Sequence, residues 1–182
     1  MKLVILDRDG VINEDRDDFV KNTIEWQPLP RSMEAIANLT QAGWRVVVAT
    51  NQSGLARGLF DMHALNAMHE KMHRLAAQAG GRIDAVVFCP HGPKDGCHCR
   101  KPKPGMIQEV AERFNVKLNE LPLVGDSLRD LQAIAAVGGQ PILVRSGKGE
   151  KTLEQGDLPA GTLVFDDLYA AAEHLINSSK KS

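Results

Sequence analysis

The stretch that decides the fold of this chain is KLVILDRDG at residues 2–10. Its first five residues, four of them apolar and including β-branched Val and Ile, predict a short strand that is buried on both faces. The Asp-x-Asp-Gly segment that follows predicts the loop in which this strand ends. Two carboxylates, Asp7 and Asp9, therefore stand at the carboxyl end of a strand, the edge at which open α/β sheets bind ligands.

The spacing of Asp7 and Asp9 allows two interpretations. In extended chain both carboxylates point to one side and Arg8 to the other, and like charges this close need a cation or a shared proton between them. Asp and Gly are also ordinary turn residues, so a solvated turn explains the segment equally well. The choice depends on whether other segments bring a metal ligand, a phosphate-binding group and a cation to the same edge.

The composition is that of one ordinary globular domain. The 182 residues are 43% hydrophobic and 25% charged, with a mean hydropathy of −0.23. We expect a single domain over residues 1–177 and a disordered tail at 178–182. A net charge of −1 gives no general basic field for nucleic acid. The first apolar run is too short for a signal peptide, and no segment approaches the ~20 apolar residues of a membrane span. We therefore expect a cytoplasmic monomer with no nucleic-acid or membrane partner.

Strand-like and helix-like segments alternate along the chain. Strands are predicted at residues 2–6, 44–49, 83–89, 121–124, 141–144 and 163–165, and helices at 31–42, 61–80, 106–114, up to 137, and 168–176. This order predicts an α/β fold with a mainly parallel central sheet and helices on both faces. The core elements fill most of the intervals from Asp9 to Thr50 and from Thr50 to Lys101, which leaves no room for a separate cap domain.

Polar side chains follow four of the predicted strands: Asp7 with Asp9, Thr50 with Asn51, Arg100 with Lys101, and Asp126. The carboxyl ends of parallel strands share one edge of a sheet, so these groups are expected to converge. Together they favour phosphoryl transfer through an aspartyl phosphate rather than a solvated turn.

Each of the converging residue types has a place in that chemistry. Asp7 is the predicted nucleophile, and Asp9 protonates the leaving oxygen and then activates water. Mg²⁺ prefers oxygen ligands, which Asp7, the backbone carbonyl of Asp9 and Asp126 would supply. Thr50 donates to a phosphoryl oxygen, and Lys101 offsets negative charge in the transition state. Asp130, one helical turn after Asp126, is predicted to orient Lys101 or a metal-bound water, or only to favour the helix start.

These motifs, in this order, resemble the four motifs of the haloacid dehalogenase-like phosphatase superfamily, and the resemblance covers nearly the whole chain. It implies a Rossmann-like three-layer sandwich, Mg²⁺, the roles just given to Asp7 and Asp9, phosphoryl contacts from Thr50 or Ser53 and Lys101, and substrate recognition by Arg100. The segments ILDRDGVIN, ATNQSGLARG, CRKPKPGM and VGDSLRD are similar to a branch that acts on phosphorylated sugars in heptose-nucleotide synthesis for surface polysaccharide. Predicted substrate contacts are Asn51, Ser53, Arg57, Arg100 and Ser127.

A Cys/His loop at residues 89–99 predicts a second metal site. Cys89-x-His91 and Cys97-x-Cys99 each direct two ligands to one side, which makes a Cys₃His set for tetrahedral Zn²⁺, while His98 faces the other way. With four protein ligands this zinc is structural, and it would hold the adjoining Arg100 and Lys101. The alternative, three buried free thiols, fits poorly with a loop rich in Pro, Gly, Lys and Asp.

His69-Glu70-Lys71-Met72-His73 matches the H-E-x-x-H pattern of zinc proteases on a predicted helix. No third ligand accompanies it, and Met68 and Met72 place this turn partly on an apolar stripe. We therefore interpret it as a helix flank rich in His.

The positive charge near Lys101 indicates a substrate with more than one phosphate. Arg57 and Arg100 suit bidentate phosphate contacts, although Arg57 is equally explained as a solvated loop charge. The alternatives are histidinol phosphate, a polynucleotide 3′-phosphate and, from another class, a zinc-stabilised binding protein without catalysis. An arginine-rich edge suits the cationic histidinol less well, aromatic residues at 4% argue against nucleic acid, and the intact catalytic set argues against the binding protein.

Overall fold

A six-stranded sheet forms the centre of the molecule, in a computed structural model that describes residues 1–181. The strands are β1 (Leu3–Leu6), β2 (Arg45–Asn51), β3 (Ala85–Cys89), β4 (Pro122–Gly125), β5 (Gln140–Val144) and β6 (Leu163–Phe165). Their order in the sheet is β3-β2-β1-β4-β5-β6, and every neighbouring pair is parallel. The predicted Rossmann-like α/β fold is confirmed, with β1 at the point where the strand order reverses.

Helices cover both faces of the sheet. They are α1 (Ser32–Gln41), α2 (Met62–Gln78), α3 (Gly105–Phe114), α4 (Leu128–Ala135), α5 (Gly149–Gln155) and α6 (Leu168–Ser179). Apolar residues of α1, α2 and α6 pack on one face, and those of α3 and α4 pack on the other. The result is the predicted three-layer sandwich.

Burial of both faces of β1 explains why its sequence is a continuous apolar run. Val4 and Leu6 point into the core beneath α1 and α2, whereas Leu3 and Ile5 point into the core beneath α3 and α4. All four are at most 2% exposed, and each fully buried side chain of this kind stabilises the fold by about 1.5–3 kcal/mol. Because neither face meets water, the polar alternation of a half-exposed strand is absent.

The predicted boundaries of α2 are confirmed by its caps. Asp61 precedes the helix and its carboxylate accepts the backbone N–H of Ala64 at 2.9 Å. Gly80 follows the helix with a φ of 88°, which glycine adopts at little cost. These ends fix the rotation of the helix, so that Met68 and His69 both face the interior.

Three features differ from the sequence predictions. A single 3-10 turn (Leu118–Glu120) and α5 were not predicted, since α5 has one apolar side chain larger than alanine and no periodic stripe. Helix α6 continues to Ser179, so Ser178 and Ser179 are helical rather than the start of a disordered tail. The tail residue Ser182 lies outside the described residues.

The segment between β1 and α1 is a loop with isolated bridges and no additional domain, within the described residues 1–181. Across the same residues, the helices are all too short or too polar to cross a membrane.

Candidate active site

The four predicted polar groups meet in one cleft at the carboxyl ends of the strands. Asp7 directly follows β1 and is tied to β4 by its backbone N–H, which donates to Val124 O at 2.9 Å. Thr50 belongs to the end of β2, and Asp126 directly follows β4. The cleft is lined by the predicted Asp7, Asp9, Thr50, Asn51, Ser53, Arg57, Arg100, Lys101, Asp126, Ser127 and Asp130, and by Asp15, Arg16, Asp17, Phe19, Arg129 and Lys148.

Lys101 lies at the floor of this cleft and is 2% exposed. Its ammonium is 2.9 Å from Asp7 Oδ1 and 2.6 Å from Asp130 Oδ1, and it donates to Ala49 O at 2.7 Å. Burial lowers the pKa of Lys101, but the carboxylates of Asp130 and Asp7 outweigh it and raise the pKa above its usual range. Lys101 is therefore a permanent cation beside Asp7. Of the roles open to Asp130, the structure supports two: the orientation of Lys101 and, through a capping box with Ser127, the start of α4.

Two of the predicted substrate-binding residues form hydrogen bonds that position Lys101 and Asp130. The side-chain amide of Asn51 donates to Lys101 O and accepts from Lys101 N, each at 3.0 Å. The backbone N–H and hydroxyl of Ser127 donate to Asp130 Oδ2 at 3.2 Å and 3.0 Å. Both residues line the cleft, so substrate contacts remain a prediction, while their positioning of Lys101 and Asp130 was not foreseen.

Asp7, Asp126 and Asp130 form a cluster whose nearest carboxylate oxygens lie within 4.8 Å of one another. Burial and the neighbouring Asp130 raise the pKa of Asp7 to about 7. Burial and the charges of Asp7 and Asp130 raise the pKa of Asp126 well above its usual value. Three crowded carboxylates, two of them buried, beside one ammonium are an oxygen-donor set that a hard divalent cation would stabilise.

The backbone around Asp126 is packed too closely for side chains. Gly10 has a φ of 85°, and a Cβ there would overlap the Asp126 carboxylate. The backbone N–H of Lys148 donates to Asp126 Oδ2 at 2.9 Å, and Thr152 Oγ1 donates to Asp126 O at 2.7 Å. Helix α5, which the sequence pattern did not predict, thus helps to position Asp126, a predicted metal ligand.

Asp9 is held by three side chains. Its Oδ1 accepts from Arg8 Nε and from Asn13 Nδ2, both at 2.9 Å, and its Oδ2 accepts from Gln52 Nε2 at 3.2 Å. Gln52 also donates to Thr50 Oγ1 at 2.9 Å and so joins the two predicted catalytic residues. Arg8 is fully buried and does not line the cleft. Neither Arg8 nor Gln52 was predicted to serve the site.

The predicted zinc ligands come together at the end of β3. Cys89 Sγ is 3.7 Å from Cys97 Sγ and 3.0 Å from Cys99 Sγ, and His91 Nδ1 is 3.5 Å and 3.3 Å from the sulfurs of Cys89 and Cys99. Ligands about 2.3 Å from a tetrahedral zinc stand roughly 3.5–3.8 Å apart. Three of the four separations lie within about 0.2 Å of that range, the distance between Cys89 and Cys99 is about 0.5 Å shorter, and all four are far above the ~2.05 Å of a disulfide. The donor set fits Zn²⁺.

The lining of the cleft includes a group of three arginines. Arg57, Arg100 and Arg129 all line it, and Arg57 lies over the Phe19 ring with its central carbon 5.3 Å from the centroid. Burial, followed by the positive charges of Arg129 and Arg57, lowers the pKa of Arg100. Arg129 was not predicted. It directly precedes Asp130 at the start of α4, and no pattern in the sequence separates it from a surface arginine.

A family model described as haloacid dehalogenase-like hydrolase matches residues 2–138. The chain belongs to the haloacid dehalogenase-like hydrolases. The resemblance drawn from the sequence motifs is confirmed.

Relatives of this haloacid dehalogenase-like hydrolase include curated enzymes of almost the same length. The D-glycero-beta-D-manno-heptose-1,7-bisphosphate 7-phosphatase of Bordetella bronchiseptica is 62% identical over 179 residues, which are 98% of this chain and 100% of the relative. The enzyme of the same name from Pseudomonas aeruginosa is 56% identical over 174 residues, 96% of this chain and 97% of the relative.

Solved structures agree with these relatives. The D,D-heptose 1,7-bisphosphate phosphatase of B. bronchiseptica, complexed with magnesium and phosphate, matches with a TM-score of 0.96 at 62% identity, over 98% of this chain and 99% of the solved one. The D,D-heptose 1,7-bisphosphate phosphatase of Burkholderia thailandensis matches with a TM-score of 0.78 at 55% identity, over 97% and 99%.

Proposed function

We propose that this hydrolase removes the C7 phosphate of D-glycero-D-manno-heptose 1,7-bisphosphate, in heptose-nucleotide synthesis for surface polysaccharide. One observation carries the proposal: Asp7 Oδ1 stands 2.9 Å from the buried Lys101 ammonium, in a cleft that Arg57, Arg100 and Arg129 also line. Asp7 and the Lys101 ammonium would act on the phosphate that is removed, and the three arginines would bind the second phosphate of the substrate. The near full-length similarity to heptose bisphosphate phosphatases supports the same substrate.

In the proposed mechanism, a carboxylate oxygen of Asp7 attacks phosphorus and forms an aspartyl phosphate. The bond between phosphorus and the bridging oxygen breaks, and that oxygen takes a proton from Asp9. Asp9 then accepts a proton from the water that hydrolyses the aspartyl phosphate. Lys101 and Thr50 offset charge on the phosphoryl oxygens throughout.

Asp7, Asp126 and the backbone carbonyl of Asp9 are the proposed ligands of Mg²⁺. The fit rests on the three crowded carboxylates: burial and the neighbouring carboxylates raise the pKa of Asp7 and of Asp126, although Lys101 lies beside Asp7. When bound, Mg²⁺ offsets the charge of the nucleophile and of the incoming phosphate. Asp130 is proposed to serve Lys101 rather than the metal, because its two oxygens are taken by Lys101 and Ser127.

Cys89, His91, Cys97 and Cys99 are proposed to bind a structural Zn²⁺. The loop they would close leads directly into Arg100 and Lys101. A zinc ion that holds this loop in one conformation would therefore also hold Arg100 and Lys101 in position. Arg100 also donates to His91 O at 3.5 Å. Four protein ligands leave no position for water, which assigns the zinc no step in the reaction.

Arg57, Arg100 and Arg129 are proposed to bind the phosphate that is not removed. They are three like charges in one cleft, and a doubly charged anion would stabilise their arrangement. We expect Arg129→Met to raise KM for the bisphosphate about tenfold or more, as charge-assisted hydrogen bonds are worth about 1.5–3 kcal/mol. The KM for the heptose 7-phosphate should change much less, because it lacks the second phosphate.

The deciding experiment measures phosphate release with Mg²⁺ from heptose 1,7-bisphosphate, histidinol phosphate and a 3′-phosphorylated oligonucleotide side by side. Phosphorus NMR then identifies which phosphate of the sugar is lost, with both anomers as substrates. Preference for histidinol phosphate, or loss of the C1 phosphate, would overturn the proposal. Turnover of none of the three would favour a zinc-stabilised binding protein. Asp7→Asn must abolish activity, since an amide cannot form the aspartyl phosphate.

Two further expectations from sequence stay predictions. The monomeric state is open to a measurement of molar mass in solution, and the cytoplasmic location to fractionation of the source cells.

A further inference from the structure

His69 belongs to the H-E-x-x-H segment that the phosphatase chemistry does not use. The two clusters of potential metal ligands among residues 1–181 contain neither His69 nor His73. His73 is exposed, whereas His69 is 8% exposed and faces the interior from α2. Its Nε2 lies 3.2 Å from Nη1 of Arg8, the residue between the two catalytic aspartates.

Arg8 connects His69 to Asp9. The guanidinium is fully buried, with Nε donating to Asp9 Oδ1 at 2.9 Å and Nη2 lying 2.8 Å from the same oxygen. Despite that short distance, Nη2 makes no hydrogen bond to Asp9 or to any other group. His69 is therefore the neighbour that fixes the far side of this guanidinium, and its loss would leave a second buried N–H group without an acceptor.

The protonation of His69 suits this contact. Burial, followed by the positive charge of Arg8, lowers the pKa of His69 to about 3. The ring is neutral at physiological pH, and the guanidinium can only donate, so Nε2 is the acceptor and the ring proton is on Nδ1. The contact is a buried hydrogen bond from a cation to a neutral acceptor.

The restraint falls on one oxygen of Asp9. Oδ1 receives Arg8 and Asn13, whereas Oδ2 has only the longer contact with Gln52 at 3.2 Å. Oδ2 is the oxygen available to carry the proton that the leaving oxygen takes. Its direction depends on the plane of the carboxylate, which the Arg8 guanidinium sets.

We propose that His69 is a positioning residue for the proton transfer: through Arg8 it orients Asp9 so that Oδ2 faces the leaving oxygen of the substrate. This inference rests on the proposed role of Asp9. The step it serves is the first one, in which the bond from Asp7 to phosphorus forms, the bond to the bridging oxygen breaks, and the proton moves from Asp9 Oδ2 to that oxygen.

The experiment compares leaving groups. The heptose alkoxide needs a proton to depart, whereas the leaving groups of acetyl phosphate and 4-nitrophenyl phosphate depart as anions. For His69→Leu, which removes the acceptor, we expect kcat/KM for heptose 1,7-bisphosphate to fall about 10- to 100-fold. For the two activated phosphates we expect a fall of at most about threefold. His69→Gln, whose side-chain carbonyl can accept from Arg8, should restore most of the loss.

Two reference variants serve as controls for this comparison. His73→Gln changes the exposed histidine of the same segment and should match the unaltered enzyme on all substrates. Asp9→Asn should show the leaving-group dependence in its strongest form; if it does not, the proposed role of Asp9 fails. If Asp9→Asn shows the dependence but His69→Leu loses the same factor on every substrate, or loses nothing, the role of His69 is overturned. Circular dichroism confirms that each variant is folded.

Discussion

Replacement of Lys101 by methionine tests the charge balance of the site. The side chain is 2% exposed and its ammonium contacts Asp7 at 2.9 Å and Asp130 at 2.6 Å. Methionine has a similar length and no charge, so Lys101→Met leaves the buried carboxylates without their cation. Removal of one partner of a buried ion pair costs about 3–5 kcal/mol. With an unfolding entropy of about 0.4 kcal/mol/K for 182 residues, this corresponds to a fall in Tm of roughly 10 °C.

The pH dependence of this loss has a definite sign. Asp7 and Asp126 already have raised pKa values in the folded chain, and loss of the ammonium raises that of Asp7 further, so the folded variant takes up protons before the unfolded chain as the pH falls. Lys101→Met should therefore recover stability between pH 8 and pH 6, near the pKa of about 7 already reached by Asp7 with Lys101 present. In the same variant, kcat should fall about 10²- to 10³-fold.

Denaturant unfolding in metal-free buffer at pH 8 provides the measurement. The matched control is Lys117→Met, since Lys117 is exposed and 3.5 Å from Glu120; it should change the free energy of unfolding by less than about 0.5 kcal/mol. Adding Asp130→Asn to Lys101→Met should restore about 1–3 kcal/mol by removing one of the repelling carboxylates. A loss below about 1 kcal/mol for Lys101→Met, or no recovery in the double variant, would refute the electrostatic reasoning.

Three further predictions concern other parts of the molecule. We expect about one zinc per chain by atomic absorption; Cys97→Ser should lose it and melt at a lower temperature, whereas His98→Ser should keep it. Gly10→Ala should destabilise the fold by more than about 2 kcal/mol and weaken Mg²⁺ binding, because its Cβ would overlap Asp126. Gly43→Ala is its control, since Gly43 has a φ of 84° and open space around it, so equal losses in the two would contradict the overlap. Because the unfolded chain protonates His69 near pH 6.5 and the folded chain only near pH 3, this residue should cost about 2 kcal/mol of stability between pH 7 and pH 5. His69→Gln should remove that acid sensitivity in urea titrations and His73→Gln should not.

The sheet and its ligand-binding edge could be predicted because they depend on local patterns. Strands buried on both faces appear as continuous β-branched runs, and the polar residues that follow them share one edge whenever the strands are parallel. The pairing of Cys89 with His91 and of Cys97 with Cys99 has the same local character. In these cases the physical cause lies within a few neighbouring residues.

The missed features depend on contacts between distant segments. Arg8 lies outside the cleft that Asp7 and Asp9 line, as alternation predicted, but its contact with Asp9 was missed because β1 ends at Leu6 and the chain turns at once. Arg129 and Lys148 reach the cleft only through the packing of α4 and α5 against the sheet. The positioning of Lys101 by Asn51 joins residues 50 positions apart, and no periodicity carries that information.

The contact between Arg8 and His69 also has an evolutionary consequence. A change at either position alone leaves a buried charge or a buried acceptor without its partner, so we expect the two positions to vary together among relatives. Arg8 stands between the two aspartates of the Asp-x-Asp motif, at the position that the motif leaves open. In this structure Arg8 contacts His69 of α2, which lies 61 residues further along the chain. We therefore expect the sequence constraint on the motif to extend to His69, a residue outside it.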